Sequence, residues 1–135
     1  MDQMTVRVPV TIKAKVTESL KAKLIADLQQ RQDMVEQDLQ QIEFRAKRLL
    51  SEQAKIDAQG LIQLRQQIEE EKQKRMNFKA EVAAKLKDAE KLEIGSEIAQ
   101  GTMEQTITVK VGDDLDALMG SEILLEDGKI IAFRQ

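Results

Sequence analysis

Residues 49–64 read LLSEQAKIDAQGLIQL, and how they are read decides the fold. They sit in the middle of Glu18–Leu92, which has no proline and one glycine, Gly60, and is dense in residues that suit a helix. On the N-terminal side, Leu28, Val35, Ile42, Leu49 and Ile56 recur every seven residues. Ile25, Gln32, Leu39, Ala46 and Gln53 lie three before each of them. This is a heptad seam with polar interruptions, which coiled coils use to set register and partner number. On the C-terminal side, Leu61, Leu64, Ile68, Glu71, Arg75, Phe78, Val82, Lys85, Ala89 and Leu92 alternate by three and four, weakest at Glu71 and Arg75. Continuing the first frame from Ile56 lands on Gln63, not on Leu61 or Leu64. A frame break beside the glycine predicts two antiparallel helices turning near residues 53–60, each about 50 Å long at 1.5 Å per residue. The competing reading is a straight rod of roughly 110 Å in a parallel oligomer.

The flanks read as β structure and favour the hairpin. Met4, Val6, Val8, Val10, Ile12, Ala14 and Val16 take every even position, against Thr5, Arg7, Pro9, Thr11, Lys13 and Lys15. Such alternation marks a strand with one buried face. Pro9 cannot donate to a ladder, so an edge or a bulge is expected there. Thr17 is placed as a helix N-cap, and Gly95 as a left-handed helix end. A second alternating run covers Thr102–Val111, with Gly101 marking a bend or bulge. Gly112–Met119 reads as a short helical turn, and Asp127-Gly128 as a tight hairpin turn between Ile123–Leu125 and Ile130–Phe133. A hairpin returns the chain to where it left, so strands at both chain ends can share one sheet. A rod would strand two β pieces too small to stand alone. The expected fold is α+β: a long antiparallel helical hairpin (coiled coil) inserted into a small antiparallel β-sheet or half-open barrel formed by the N- and C-terminal strands. Residues 1–16 plus 96–135 form the β module and residues 17–95 the hairpin.

Composition removes several chemistries. The 135 residues include no cysteine and no histidine, so disulfides, thiolate catalysis, Ser-His pairs and ordinary zinc sites are excluded within one chain. Net charge is −3, which gives no reason to expect nucleic acid as a partner. No apolar run approaches the roughly 18 residues of a membrane-spanning helix, and the opening Met1–Thr5 lacks a signal-peptide pattern. The expectation is a cytoplasmic protein with no membrane partner.

Few residues invite a functional reading. Asp113, Asp114 and Asp116 are the one acidic cluster worth testing for an ion, but they lack the spacing of a calcium loop and suit a helix N-terminus. Glu69–Glu71 followed by Lys72, Lys74 and Arg75 reads as a solvated face with pairs four residues apart. Arg45, Lys47 and Arg48 form a second basic group. Binding of RNA phosphates is the sharper alternative for these charges, but single-strand readers stack bases on aromatics and this chain has three Phe, no Tyr and no Trp. Ser96 has neither a nucleophile-elbow pattern nor a histidine to activate it. No catalytic, cofactor-binding or metal-binding residue is assigned, and no cofactor is expected. Leu24, Met34, Phe44, Leu50, Ile62, Met76 and Leu86 lie off both seams and suggest a second docking face.

The order of parts carries a resemblance. Leu92-Glu93-Ile94-Gly95-Ser96-Glu97-Ile98, Val109-Lys110-Val111-Gly112-Asp113-Asp114-Leu115 and Glu126-Asp127-Gly128-Lys129-Ile130 follow a strand and a charged coiled coil. This resembles the YlqD family of small bacterial proteins across essentially the whole chain. The chain departs from that pattern in carrying Gly60 where a proline is expected at the helix turn. The resemblance implies a bacterial cytoplasmic protein and carries over no catalytic residue, ligand or activity. The Val-x-Val-Gly-Asp and Asp-Gly-Lys-Ile spacing is also similar, at the level of fold alone, to SH3-like and PRC-type barrels. The functional expectation is a non-enzymatic interaction or scaffolding module that self-associates through its helical arm. A homo-oligomer is expected, a dimer first, with an unidentified protein as the other kind of partner. The alternative is an RNA- or ribosome-associated accessory protein using the basic groups of the arm.

Overall fold

The computed structural model describes Met1–Gln135 and contains strand β1 (Gln3–Lys15), helices α1 (Glu18–Ala54) and α2 (Ala58–Glu90), strand β2 (Glu97–Lys110), the short helix α3 (Leu115–Leu118), and strands β3 (Glu122–Glu126) and β4 (Lys129–Arg134). The chain divides into two compact units. One comprises Met1–Ala22 with Leu92–Gln135, and the other Lys23–Lys91. No helix is long and apolar enough to cross a membrane.

The first unit is a four-stranded sheet in the order β2-β1-β3-β4. The alternation of β1 buries Val8, Val10 and Ala14 and carries on to the buried Val16 just beyond it, while Arg7 and Pro9 stay exposed on the other face. β2 runs antiparallel to β1 from Lys15↔Glu97 to Gln3↔Lys110. It is one strand, longer than the Thr102–Val111 run; Gly101 marks a bulge in which Gln100 is the extra residue. Thr11 donates its N–H to Ser121 on the β3 side. Pro9, two residues earlier, turns its nitrogen the same way, beyond the point where β3 pairing begins. The missing donor therefore faces open edge, although β1 is not an edge strand over its whole length.

The sheet is mixed where an antiparallel one was expected. β3 pairs parallel with β1, Thr11–Ala14 against Glu122–Leu125. The reason is the connection. β2 ends beside Gln3, and residues 111–121, with α3 among them, cross β1 and start β3 on its other side beside Thr11. β3 and β4 then form the hairpin expected at Asp127-Gly128, both residues at positive φ (49° and 84°).

The sheet also curls. Arg134 on β4 donates to the Glu97 carboxylate on β2 (Nη1 to Oε2, 3.2 Å) and lies 3.4 Å from Glu122, which in turn sits 2.8 Å from Lys13 Nζ. Two strands separate β4 from β2, about 14 Å in a flat sheet at 4.8 Å per step. The ion pair forms because the bulged sheet bends β4 towards the start of β2. The hydrogen bonds from Arg134 hold the Glu97 carboxyl below the usual carboxylate range, and the same contact raises Arg134 above its ordinary value.

At the junction with the helices, Val16 donates its N–H to Ser96 (2.7 Å) and its carbonyl accepts from Gly95 N–H (2.8 Å). Gly95 has φ 92°, but it belongs to this turn and not to the helix end, since α2 stops at Glu90 with Lys91 as its cap. Thr17 is the N-cap of α1: its Oγ1 accepts from Leu20 N–H (3.1 Å) and donates to Asp127 Oδ1 (2.6 Å).

In the second unit α1 and α2 form the expected hairpin, and the turn is tighter than residues 53–60. α1 closes with Ile56 and Asp57 N–H groups on the Gln53 carbonyl, and Asp57 caps α2. Gly60 is not the turn residue; it lies in the first turn of α2 with its N–H on the Asp57 carboxylate. A Cβ there would stand 3.1 Å from both Asp57 oxygens, so the glycine provides space for the cap and not a left-handed backbone.

Two outcomes follow. Asp57→Ala lowers stability by about 1 kcal/mol in urea unfolding, as loss of an N-cap does. Glu97, whose carboxyl ionises more readily when folded, contributes stability that is present above the ordinary carboxylate range and lost as pH falls through its lowered value. Glu97→Gln therefore lowers the unfolding midpoint at neutral pH and low salt. The gap to wild type closes below about pH 4 and in high salt.

Candidate protein-interaction surface

The filled seam of the hairpin shows what remains on its outside. On α1 the expected frame holds from Ile25 to Ala46, with Val35, Ile42 and Ala46 buried. It then shifts: Leu50 packs with Leu64 on the Ile42–Ala46–Ile68 cluster, while Leu49 and Ile56 are exposed. On α2 the seam takes Leu86 where Lys85 was expected, and Phe78 is 44% exposed.

The weak middle of the second frame is an ionic seam. Lys79 meets Glu36 (3.4 Å), Arg75 meets Asp38 (3.8 Å) and Lys72 meets Glu43 (3.9 Å), the partners descending on α1 as they rise on α2. Lys72 and Arg75 of this run thus reach across to the other helix, and the expected pairing four residues along one face does not describe them. Arg75 Nε is buried there without a hydrogen bond. Such half-exposed pairs contribute little energy each, at most about 1 kcal/mol, but they penalise a shifted register.

Outside the seam the hairpin shows Met34 (57% exposed), Phe44 (72%), Ile62 (68%) and Met76 (55%), four of the seven off-seam residues. Leu24, Leu50 and Leu86 are half-buried instead. Sequence reasoning missed Leu49, Ile56 and Phe78, because all three fall on the heptad frame; the shift that exposes Leu49 and Ile56 is visible only in the packing. Met34 and Phe78 line one open hollow with Arg31, Val35, Asp38 and Arg75; Met76 lines another with Leu39, Ala80 and Ala83.

The other sequence-marked residues are placed as follows. Asp113 Oδ2 accepts from Lys110 N–H and Asp114 Oδ1 from Asp116 N–H, so two of the three acids serve a turn and a cap. Arg45, Lys47 and Arg48 are exposed but, at 100° per residue, spread over roughly 160° of α1 and make no single basic face. Ser96 donates its hydroxyl to the Glu93 carbonyl. In the sheet unit a hollow of about 510 Å³ is lined by Val10, Met103, Ile123 and Phe133. Its carboxylates are already paired, Glu122 with Lys13 and Arg134, and Glu104 with Arg7 at 3.7 Å.

Comparison with known proteins agrees with this architecture. The profile of the family described as "YlqD protein" matches residues 4–134. A protein named "Uncharacterized protein YlqD", from Bacillus subtilis (strain 168), is 26% identical over 127 residues, covering 93% of this chain and 94% of that protein. The crystal structure of a protein of unknown function from Synechococcus sp. WH 8102 superposes with a TM-score of 0.82 at 21% identity, over 98% of this chain and 95% of the other; it shares the fold.

Substitution separates the seam from the outer surface. Ile42→Ala, inside the buried cluster, costs roughly 2–5 kcal/mol in urea unfolding. Phe44→Ala, two residues away and pointing outward, stays within about 0.5 kcal/mol of wild type. Equal losses at the two positions would show that Phe44 is packed.

Proposed function

The chain belongs to the YlqD family, and from that premise we propose that it is a non-enzymatic interaction module that self-associates through its helical hairpin. The observation that carries this reading is the set of large apolar side chains outside a seam that is already filled. Met34, Phe44, Leu49, Ile62, Met76 and Phe78 on the two helices, and Ile56 in the turn between them, are each more than a third exposed. Single exposed apolar residues are ordinary, but this density on a narrow scaffold is the composition of an interface. Helical hairpins bury such faces by pairing into four-helix bundles.

The sheet unit supports the non-enzymatic half of the reading. Its hollow offers no free carboxylate pair for acid–base work, and the chain has neither histidine nor cysteine to replace one. A cytoplasmic setting accords with the free use of unpaired polar and charged surface along the arm.

Sedimentation velocity and light scattering on the full chain test the proposal. A dimer at micromolar concentration is the expected result, weakening on Met34→Glu. A monomer throughout that range overturns it. Retardation of RNA at low salt that fades steeply with added salt would instead favour a phosphate-binding role.

A further inference from the structure

The outer residues of α1 form a pattern that identifies the occupant of its free face. At 100° per residue, Arg31, Met34, Asp38, Arg45, Leu49 and Glu52 fall on one stripe about 60° wide, its centre roughly 70° around from that of the buried Val35, Ile42 and Ala46. All six are exposed. Read from Gln41 towards both ends, the stripe is complementary to itself. Asp38 is matched by Arg45, Met34 by Leu49, and Arg31 by Glu52.

We infer that this stripe docks on the same stripe of a second copy, with the two α1 helices antiparallel about a two-fold axis at Gln41–Ile42. The inference rests on the self-association proposed above and names its surface. In that arrangement Arg31 meets Glu52 of the second copy, Met34 meets Leu49, and Asp38 meets Arg45. Symmetry makes each contact twice. A parallel pairing sets every charge against itself. An antiparallel pairing centred on Asp38 sets Arg31 against Arg45. Both juxtapose like charges, which complementary interfaces avoid.

Two further features agree. The offset between stripe and seam suits a helix in a four-helix bundle, which touches two neighbours. The hollow lined by Met34 and Phe78 lies on the stripe side of α1 and gives Leu49 of the second copy a site to enter.

Charge exchange tests the pairing. No ion pair within the chain involves Arg31 or Glu52. Arg31→Glu and Glu52→Arg therefore leave folding intact, as circular dichroism melts would verify. Each single variant is expected to weaken self-association roughly tenfold or more, because two like-charge contacts appear at once. An equimolar mixture of the two variants is expected to recover wild-type affinity as a mixed dimer. Self-association of the wild type that both single variants retain overturns this interface and leaves the function reading standing. A monomeric wild type overturns both. As a second measurement, the chain has no cysteine. A short thiol-bridging reagent should link Gln41→Cys chains in pairs faster than Lys47→Cys chains, whose exposed residue lies about 170° around α1 from the stripe; the reverse order overturns the two-fold.

Discussion

Two backbone hydrogen bonds at Val16 organise the molecule. The residue is 1% exposed, donates to Ser96 and accepts from Gly95, and so joins the end of β1 to the approach of β2. Roughly eighty residues intervene, and closing a flexible loop of that length costs about 4 kcal/mol. Two helices that fold back on each other make the closure far cheaper, because their own packing already brings the ends together. Lys21 reinforces the point by donating to the Leu92 carbonyl at 2.9 Å. The junction stands at one end of the β1–β2 ladder, and β3 in turn lies on β1.

The hairpin itself combines a modest apolar seam with an ionic one. Ile42, Ala46 and Ile68 supply the burial, with Leu50 and Leu64 beside them. Lys72, Arg75 and Lys79 occupy positions where leucines would give more stability. Their partners Glu43, Asp38 and Glu36 allow one alignment of the two helices and charge-mismatch others. Stability is traded for register. The same economy of apolar residues inside makes those outside, Met34 and Phe44 among them, conspicuous.

Features set by neighbours in sequence were legible; those set by distant partners were not. The β1 alternation, the Thr17 cap, the heptads from Ile25 to Ala46 and the Asp127-Gly128 turn each depend on a few adjacent residues, and each is where it was expected. The parallel pairing of β1 with β3 depends on where residues 111–121 cross, which no local pattern records. The exchange of Leu49 for Leu50, close to the turn, and of Lys85 for Leu86, near the far end of α2, is recorded only in the packing. The turn falls within residues 53–60, with Asp57, a good N-cap residue, capping α2 three positions before Gly60. The outward apolar residues were legible as a group because heptad counting isolates what it does not use. Their division into stripes needed the packed seam as a reference direction.

The separation of β1 from β2 along the chain has a consequence during synthesis. β1 emerges from the ribosome before any strand that can pair with it. At roughly 5–20 residues per second, Glu97 follows Lys15 by on the order of 5–15 s. For that time Val6, Val8, Val10 and Ile12 form a nascent segment with an unprotected apolar face. The arm that follows is locally encoded helix, which forms in microseconds without waiting for distant chain. Translation therefore yields a finished hairpin still carrying a solitary strand, and the sheet closes only when the last forty residues arrive.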